Sequence, residues 1–151
     1  MSKMTNICLS QLNIQKITPE ETLPLRQQVL WPAASLEDCR LTDDNIGWHF
    51  GGFYQQELVC VASVFIDQQQ ARLRKFATLP AYQGQGIGQM MLTRLLAELS
   101  QQAVTQFWCD ARETAIGFYQ RFDMQVQGER FYKSDVAYRK MTLELEPKEA
   151  N

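Results

Sequence analysis

Gly84, Gly86 and Gly88, spaced two apart, stand between a strand-like run, Ala71 to Leu79, and a helix-like run that follows Gly88. Glycine leaves backbone N–H groups uncovered and permits positive φ, which a turn wrapped around an anion needs. Amides at the mouth of a helix, together with the positive end of its dipole, suit a pyrophosphate. Two rival phosphate-binding patterns fit less well. A Walker A loop needs Gly-Lys-Ser/Thr after its second glycine, and here Gln89 follows Gly88. A Rossmann turn would begin with Gly84-x-Gly86, but its third small residue would fall on Gln89, and Leu79-Pro80-Ala81-Tyr82 intervene between strand and turn. Asp110, after the next strand-like run, could imitate the ribose-binding acid of that pattern.

Gln83-Gly84-Gln85-Gly86-Ile87-Gly88-Gln89 resembles the acyl-CoA-binding motif of the GNAT superfamily of N-acetyltransferases, Gln/Arg-x-x-Gly-x-Gly/Ala. Gln83, Gly86 and Gly88 match it position for position. A second stretch, Trp108 to Met124, resembles the GNAT segment Asn-x-x-Ala-x-x-Phe-Tyr-x-x-x-Gly-Phe through Ala115, Phe118 and Tyr119. It departs from that segment at Asp110, where the family commonly has a CoA-contacting Asn, and at Asp123-Met124, which replace Gly-Phe. The resemblance implies acetyl transfer from acetyl-CoA to an amine by direct attack in a ternary complex, without a metal. It also implies that backbone groups of Phe76, Ala77 and Thr78 hold the thioester and pantetheine arm, with the Phe76 N–H polarising the carbonyl. By the same resemblance Tyr119 protonates the departing thiolate, a general-acid role suited to a positioned phenol.

The base that would deprotonate the acceptor is less evident. Some family members carry a carboxylate where Arg72 stands here, so a chain of waters is the expected route. His49 is the other candidate, since its unperturbed pKa lies near working pH. Alternation places it opposite Trp48 and Phe50, and a strand histidine with a structural hydrogen bond is an equal reading. Arg72 and Arg74 share a strand face. They could meet an acidic acceptor, but solvated side chains are the expectation. A non-catalytic acyl-CoA sensor or interaction module on the same fold remains the competing class.

With 151 residues, 45% hydrophobic and 11% aromatic, the chain reads as a single folded domain over residues 1–151. A net charge of −2 argues against a general nucleic-acid binder. No apolar run approaches membrane-spanning length, and Met1 to Asn6 lacks a signal-peptide hydrophobic core. Cytoplasmic residence is therefore the expectation, with a small-molecule or peptide amine as partner. Cys8, Cys39, Cys60 and Cys109 form no Cys-x-x-Cys pair, and His49 is the lone histidine. Cys60 and Cys109, inside strand-like runs, read as small hydrophobes, and a zinc site lacks closely spaced ligands.

The periodicities supply the elements that would position these groups. Leu12 to Ile17 alternates as a strand. Thr18-Pro19-Glu20-Glu21 is a capping box with Pro at the first helical position. Pro24 should break that helix early or delay its start to Thr22, and Pro32 ends it. Ala33 to Asn45 reads as a short helix and loop. Trp48–Tyr54 and Leu58–Ile66 form a hairpin around Gln55-Gln56-Glu57, and the second strand is apolar on both faces. Asp67–Gln70 turns into the Ala71–Leu79 strand. The helix after Gly88 should bury Met91, Leu92, Leu95, Leu96 and Leu99. A strand at Val104–Cys109 then returns beside Ala71–Leu79. A helix over Arg112–Arg121 follows, with Gly117 in its interior at a cost of roughly 1 kcal/mol. Met124–Gly128 and Val136–Leu145 close the sheet. The expected fold is a mixed, mainly antiparallel α/β sheet flanked by helices on both faces. The aromatic Phe131–Tyr138 segment is a candidate homodimer surface.

Overall fold

The computed structural model describes residues 6–146. The reading of Met1 to Asn6 as free of a signal sequence falls almost entirely outside them. Among the described residues, seven strands form one sheet in the order β1-β2-β3-β4-β5-β7-β6. They are β1 (Asn13–Lys16), β2 (Trp48–Tyr54), β3 (Glu57–Asp67), β4 (Gln70–Thr78), β5 (Gln106–Arg112), β6 (Gln125–Lys133) and β7 (Val136–Glu144). The helices are α1 (Pro19–Leu25), α2 (Ile87–Leu99) and α3 (Ile116–Gln120). Pairing is antiparallel for β1–β2, β2–β3, β5–β7 and β6–β7, and parallel for β4–β5. This is the mixed, mainly antiparallel sheet expected from the sequence. No helix of the described residues is long and apolar enough to cross a membrane.

The chain divides into two compact units, residues 6–65 with 75–98, and residues 66–74 with 99–146. In the first, Thr18 accepts the Glu21 amide while the Glu21 carboxylate accepts the Thr18 amide, which completes the capping box. Pro24 does not stop α1 or delay its start. The helix starts at Pro19, carries Pro24 inside it, and loosens into a π turn over Arg26–Leu30. The Ala33–Asn45 region contains only short 3-10 turns, at Glu37–Cys39 and Asp44–Ile46. Gln55 and Gln56 both take positive φ, which gives β2 and β3 a two-residue turn matched to strand twist. Val59 to Val64 are buried without interruption, as an apolar run on both faces requires. α2 buries Ile87, Met91, Leu92, Leu95 and Leu99. Leu96 is only half-buried.

In the second unit, β5 runs to Arg112, longer than expected, because β7 supplies a partner at every step as far as Tyr138. The helix expected over Arg112–Arg121 shrinks accordingly to a 3-10 turn at Glu113–Ala115 and the five residues of α3. A Cβ on Gly117 would meet nothing within 4 Å, so no close protein neighbour demands that glycine. Asp123 takes φ +64° just after α3, the left-handed stop at which the family motif has glycine. β6 does not end at Gly128. Gly128 adopts φ +80° within a register shift between Gln127 and Phe131, and the strand then resumes to Lys133. Phe107, Cys109, Ala111 and Met141 fill the buried side of this unit.

Candidate functional site

The glycine loop has the geometry its composition suggests. Gly84 and Gly86 take φ +76° and +92°, values that other residues adopt only with strain. The first amide bonded along α2 is that of Met90, to the Gly86 carbonyl at 3.0 Å. The Ile87, Gly88 and Gln89 amides lie ahead of that bond at the positive end of a 13-residue helix. No atom comes within 4 Å of a Cβ built on Gly84, which leaves room for a ligand at the turn. Side chains brace the loop: Gln83 donates to the Thr78 carbonyl at 2.9 Å, and Gln85 accepts the Ile7 amide at 3.0 Å. Of the Thr78 backbone groups expected to hold the cofactor, the carbonyl already accepts Gln83. Lys75, just before Phe76, has φ +53°.

A cavity of about 640 Å³ opens from Gly86 and Gln89 along α2, lined by Leu9, Leu12, Met90 and Arg94 among others. This volume lies in the range of small-molecule sites. Leu9, Leu12 and Arg94 escaped the sequence reading. Only the i, i+3, i+4 positions of the solvent side of α2 could have pointed to Arg94.

Tyr119 is buried on α3, with the Cys109 thiol beside its hydroxyl. Burial pushes its phenol above the usual range, with the Cys109 thiol adding to the effect, so the hydroxyl keeps its proton. Burial likewise pushes the Cys109 thiol up to about 12. Phe118 packs edge-on to Tyr119, with ring centroids 5.1 Å apart, and Ala115 is half-buried at the start of α3. The Asp110 carboxylate meets Arg72 at 3.0 Å and Lys133 at 3.5 Å. Arg72 is thus not simply solvated. It is ion-paired, and its guanidinium lies 4.5 Å from the centroid of the Trp108 ring.

His49 lies in a closed polar knot. Its Nε2 meets the Asp44 carbonyl at 2.8 Å and so carries the proton, because a carbonyl can only accept. Its Nδ1 then accepts from the Ser63 hydroxyl at 2.7 Å, and Ser63 accepts from Arg26 at 3.0 Å. Arg26 closes the loop with a two-pronged bond to Asp44, at 2.7 and 3.0 Å, and donates to the Cys39 carbonyl. Burial alone would raise the Asp44 carboxyl, but the bonds from Arg26 and the Leu41 amide, with the charge of Arg26, outweigh it and hold it below the usual range. The sequence reading missed Arg26, Asp44 and Ser63. Ser63 inside the apolar Leu58–Ile66 run was the one signal available.

Residues 41–145 match the model of the acetyltransferase (GNAT) domain. The Bacillus subtilis (strain 168) protein called Uncharacterized N-acetyltransferase YitI is 32% identical over 130 residues, 80% of this chain and 87% of that protein. In fold, the Escherichia coli ribosomal-protein-S18-alanine N-acetyltransferase superposes with a TM-score of 0.79 at 20% identity, covering 93% of this chain and 97% of that one. A GNAT family acetyltransferase from Elizabethkingia anophelis, solved with acetyl-CoA bound, superposes with a TM-score of 0.69 at 16% identity, covering 89% and 99%. With its glycine turn before α2, its Phe118-Tyr119 pair and the match over residues 41–145, the chain belongs to the GNAT acetyltransferases.

Proposed function

We propose that the enzyme moves an acetyl group from acetyl-CoA to a primary amine by direct attack within a ternary complex. The observation that carries this reading is the α2 N-terminus, where two positive-φ glycines precede three amides at the start of the helix. When bound, acetyl-CoA supplies a thioester whose C–S bond breaks as the amine nitrogen forms the new amide. The Gly84–Gln89 amides bind the pyrophosphate in this reading. Phe76 and Ala77, with Thr78 through whichever backbone group Gln83 leaves available, take the pantetheine arm.

Tyr119 gives its proton to the departing thiolate. The phenol carries its proton at working pH, as a general acid must, and α3 fixes its position. Ala115 and Phe118 pack the cofactor side of α3. Asp110 leaves the cofactor set in this reading, because Arg72 and Lys133 already hold its carboxylate. His49 serves the fold: its one lone pair accepts the Ser63 proton, so the acceptor ammonium loses its proton to water instead.

Thiol release from acetyl-CoA, screened against amino acids, polyamines, aminoglycosides and peptides, identifies the acceptor. With it in hand, Tyr119→Phe should lower kcat about 10²–10⁴-fold while acetyl-CoA affinity holds. Wild-type turnover in the folded variant, with chemistry rate-limiting, removes Tyr119 from the mechanism.

A further inference from the structure

The second unit presents two unlike sheet faces. One is the apolar face of Phe107, Cys109, Ala111 and Met141. On the other, alternation and register bring together Arg72 and Arg74 of β4, Trp108, Asp110 and Arg112 of β5, Lys140 and Tyr138 of β7, and Phe131 and Lys133 of β6. Five cations there face two carboxylates, Asp110 and Glu144, on a chain whose net charge is −2. The aromatics stand among the charges. Arg72 and Lys140, on the strands either side of β5, lie 4.5 and 4.6 Å from the centroid of Trp108. Lys133 lies 4.8 Å from that of Tyr138, whose ring stacks on Phe131 at 5.9 Å.

From this arrangement we infer that the face docks an acidic segment of a polypeptide acceptor, an assignment that rests on the amine-acetylation reading above. Charge sign selects an anionic partner. Extent selects a peptide. The cations run from β4 to β6 across three strand intervals, about 14 Å at the usual spacing. An amino-acid-sized molecule is too short for that span, whereas four or five extended residues cover it at about 3.3 Å each. Negative charge on the rest of the chain repels a nucleic-acid backbone, which needs a basic field much wider than this face. Arg72 and Lys133 neutralise Asp110, so that the central carboxylate does not repel an incoming acidic side chain.

Binding is testable without turnover. Fluorescein-labelled hexapeptides with a free N-terminus, one rich in Asp and Glu, one with Gln and one with Lys in their place, are titrated by anisotropy at about 50 mM salt, where screening is weak. A single-stranded oligonucleotide is the rival probe. The acidic peptide should bind at least about tenfold more tightly than the Gln and Lys peptides and the oligonucleotide, and lose affinity as salt rises. Arg112→Glu and Lys133→Glu, both exposed, should each weaken it about tenfold, whereas Lys16→Glu on β1 should leave it unchanged. Equal affinity for the three peptides, tighter binding of the oligonucleotide, or indifference to both reversals in folded variants overturns the assignment. Since no acetyl-CoA is present, acidic-peptide binding by a protein that then fails to acetylate it would count against the acetyl-transfer reading and leave this one standing.

Discussion

Each unit contains an arginine–aspartate pair, and the two differ chiefly in what surrounds them. Arg26 and Asp44 meet at 2.7 Å with 1% and 2% of their side chains exposed, and Ser63, His49 and the Cys39 carbonyl take up neighbouring atoms. Arg72 and Asp110 meet at 3.0 Å with 31% and 17% exposed, among aromatic rings and further cations. The first pair is closed to any ligand and ties the π turn to β3 and to the turn that carries Asp44. The second can exchange partners with water or with a docking anion. The same two residue types thus serve the fold in one unit and recognition in the other, with burial deciding between them.

Removing the arginine in each unit tests this contrast. Arg26→Met leaves the Asp44 charge buried and unanswered, which should cost about 3–5 kcal/mol of unfolding free energy. Arg72→Met removes a partly exposed pair and should cost about 1 kcal/mol or less. Urea titrations of the whole chain at neutral pH read both. Equal losses would dissolve the distinction.

Acid sharpens it next. The Asp44 carboxyl is depressed in the folded state, so its stabilisation is fully present above the ordinary carboxylate pKa of about 4 and is lost as pH falls through the lower folded value. The urea midpoint of the wild type should therefore exceed that of Asp44→Asn from pH 7 to about pH 4, and the gap should close below that. A gap that stays constant to pH 2 would remove Asp44 from the acid response.

The cysteines give the smallest contrast. Cys8 is exposed, and its bond to the Ser10 hydroxyl, at 3.0 Å, lowers its thiol pKa. Burial pushes Cys60 and Cys109 up to about 12. Brief alkylation at pH 8 followed by mass spectrometry should label Cys8 first and spare Cys60 and Cys109. Early labelling of Cys109 would show that the buried side of β5 opens readily.

What the sequence disclosed follows the same division between local and distant causes. The capping box at Thr18, the doubly apolar β3 and the glycine turn before α2 are set by neighbours within a few residues and stand where the patterns put them, whereas the expected Gln55-Gln56-Glu57 turn is one residue shorter because Glu57 of β3 pairs with Tyr54. The length of β5 and the continuation of β6 past Gly128 depend on what β7 offers across the sheet, which periodicity does not encode. The Arg26 knot joins residues 18 and 37 positions apart, and the pairing of Arg72 with Asp110 spans 38. Apart from Ser63 in its apolar run, each residue of those clusters is unremarkable in its own window. For that reason the two readings of His49, base or structural histidine, stand level in the sequence, and Arg72 reads as a solvated side chain although it is paired with Asp110.

The central claim is that the α2 N-terminus binds the cofactor, and calorimetric titration of acetyl-CoA into the wild type and Gly86→Glu tests it most directly. Glutamate at a φ of +92° would force strain, contact Leu9 and put a carboxylate where the pyrophosphate is to sit. Circular dichroism verifies that the variant folds, and Gly84→Glu, at a position with open space around its Cβ, repeats the charge test without that contact. The account expects saturable one-to-one binding by the wild type and loss of binding in both variants. No saturable binding by the wild type, or undiminished affinity in the folded variants, would contradict it.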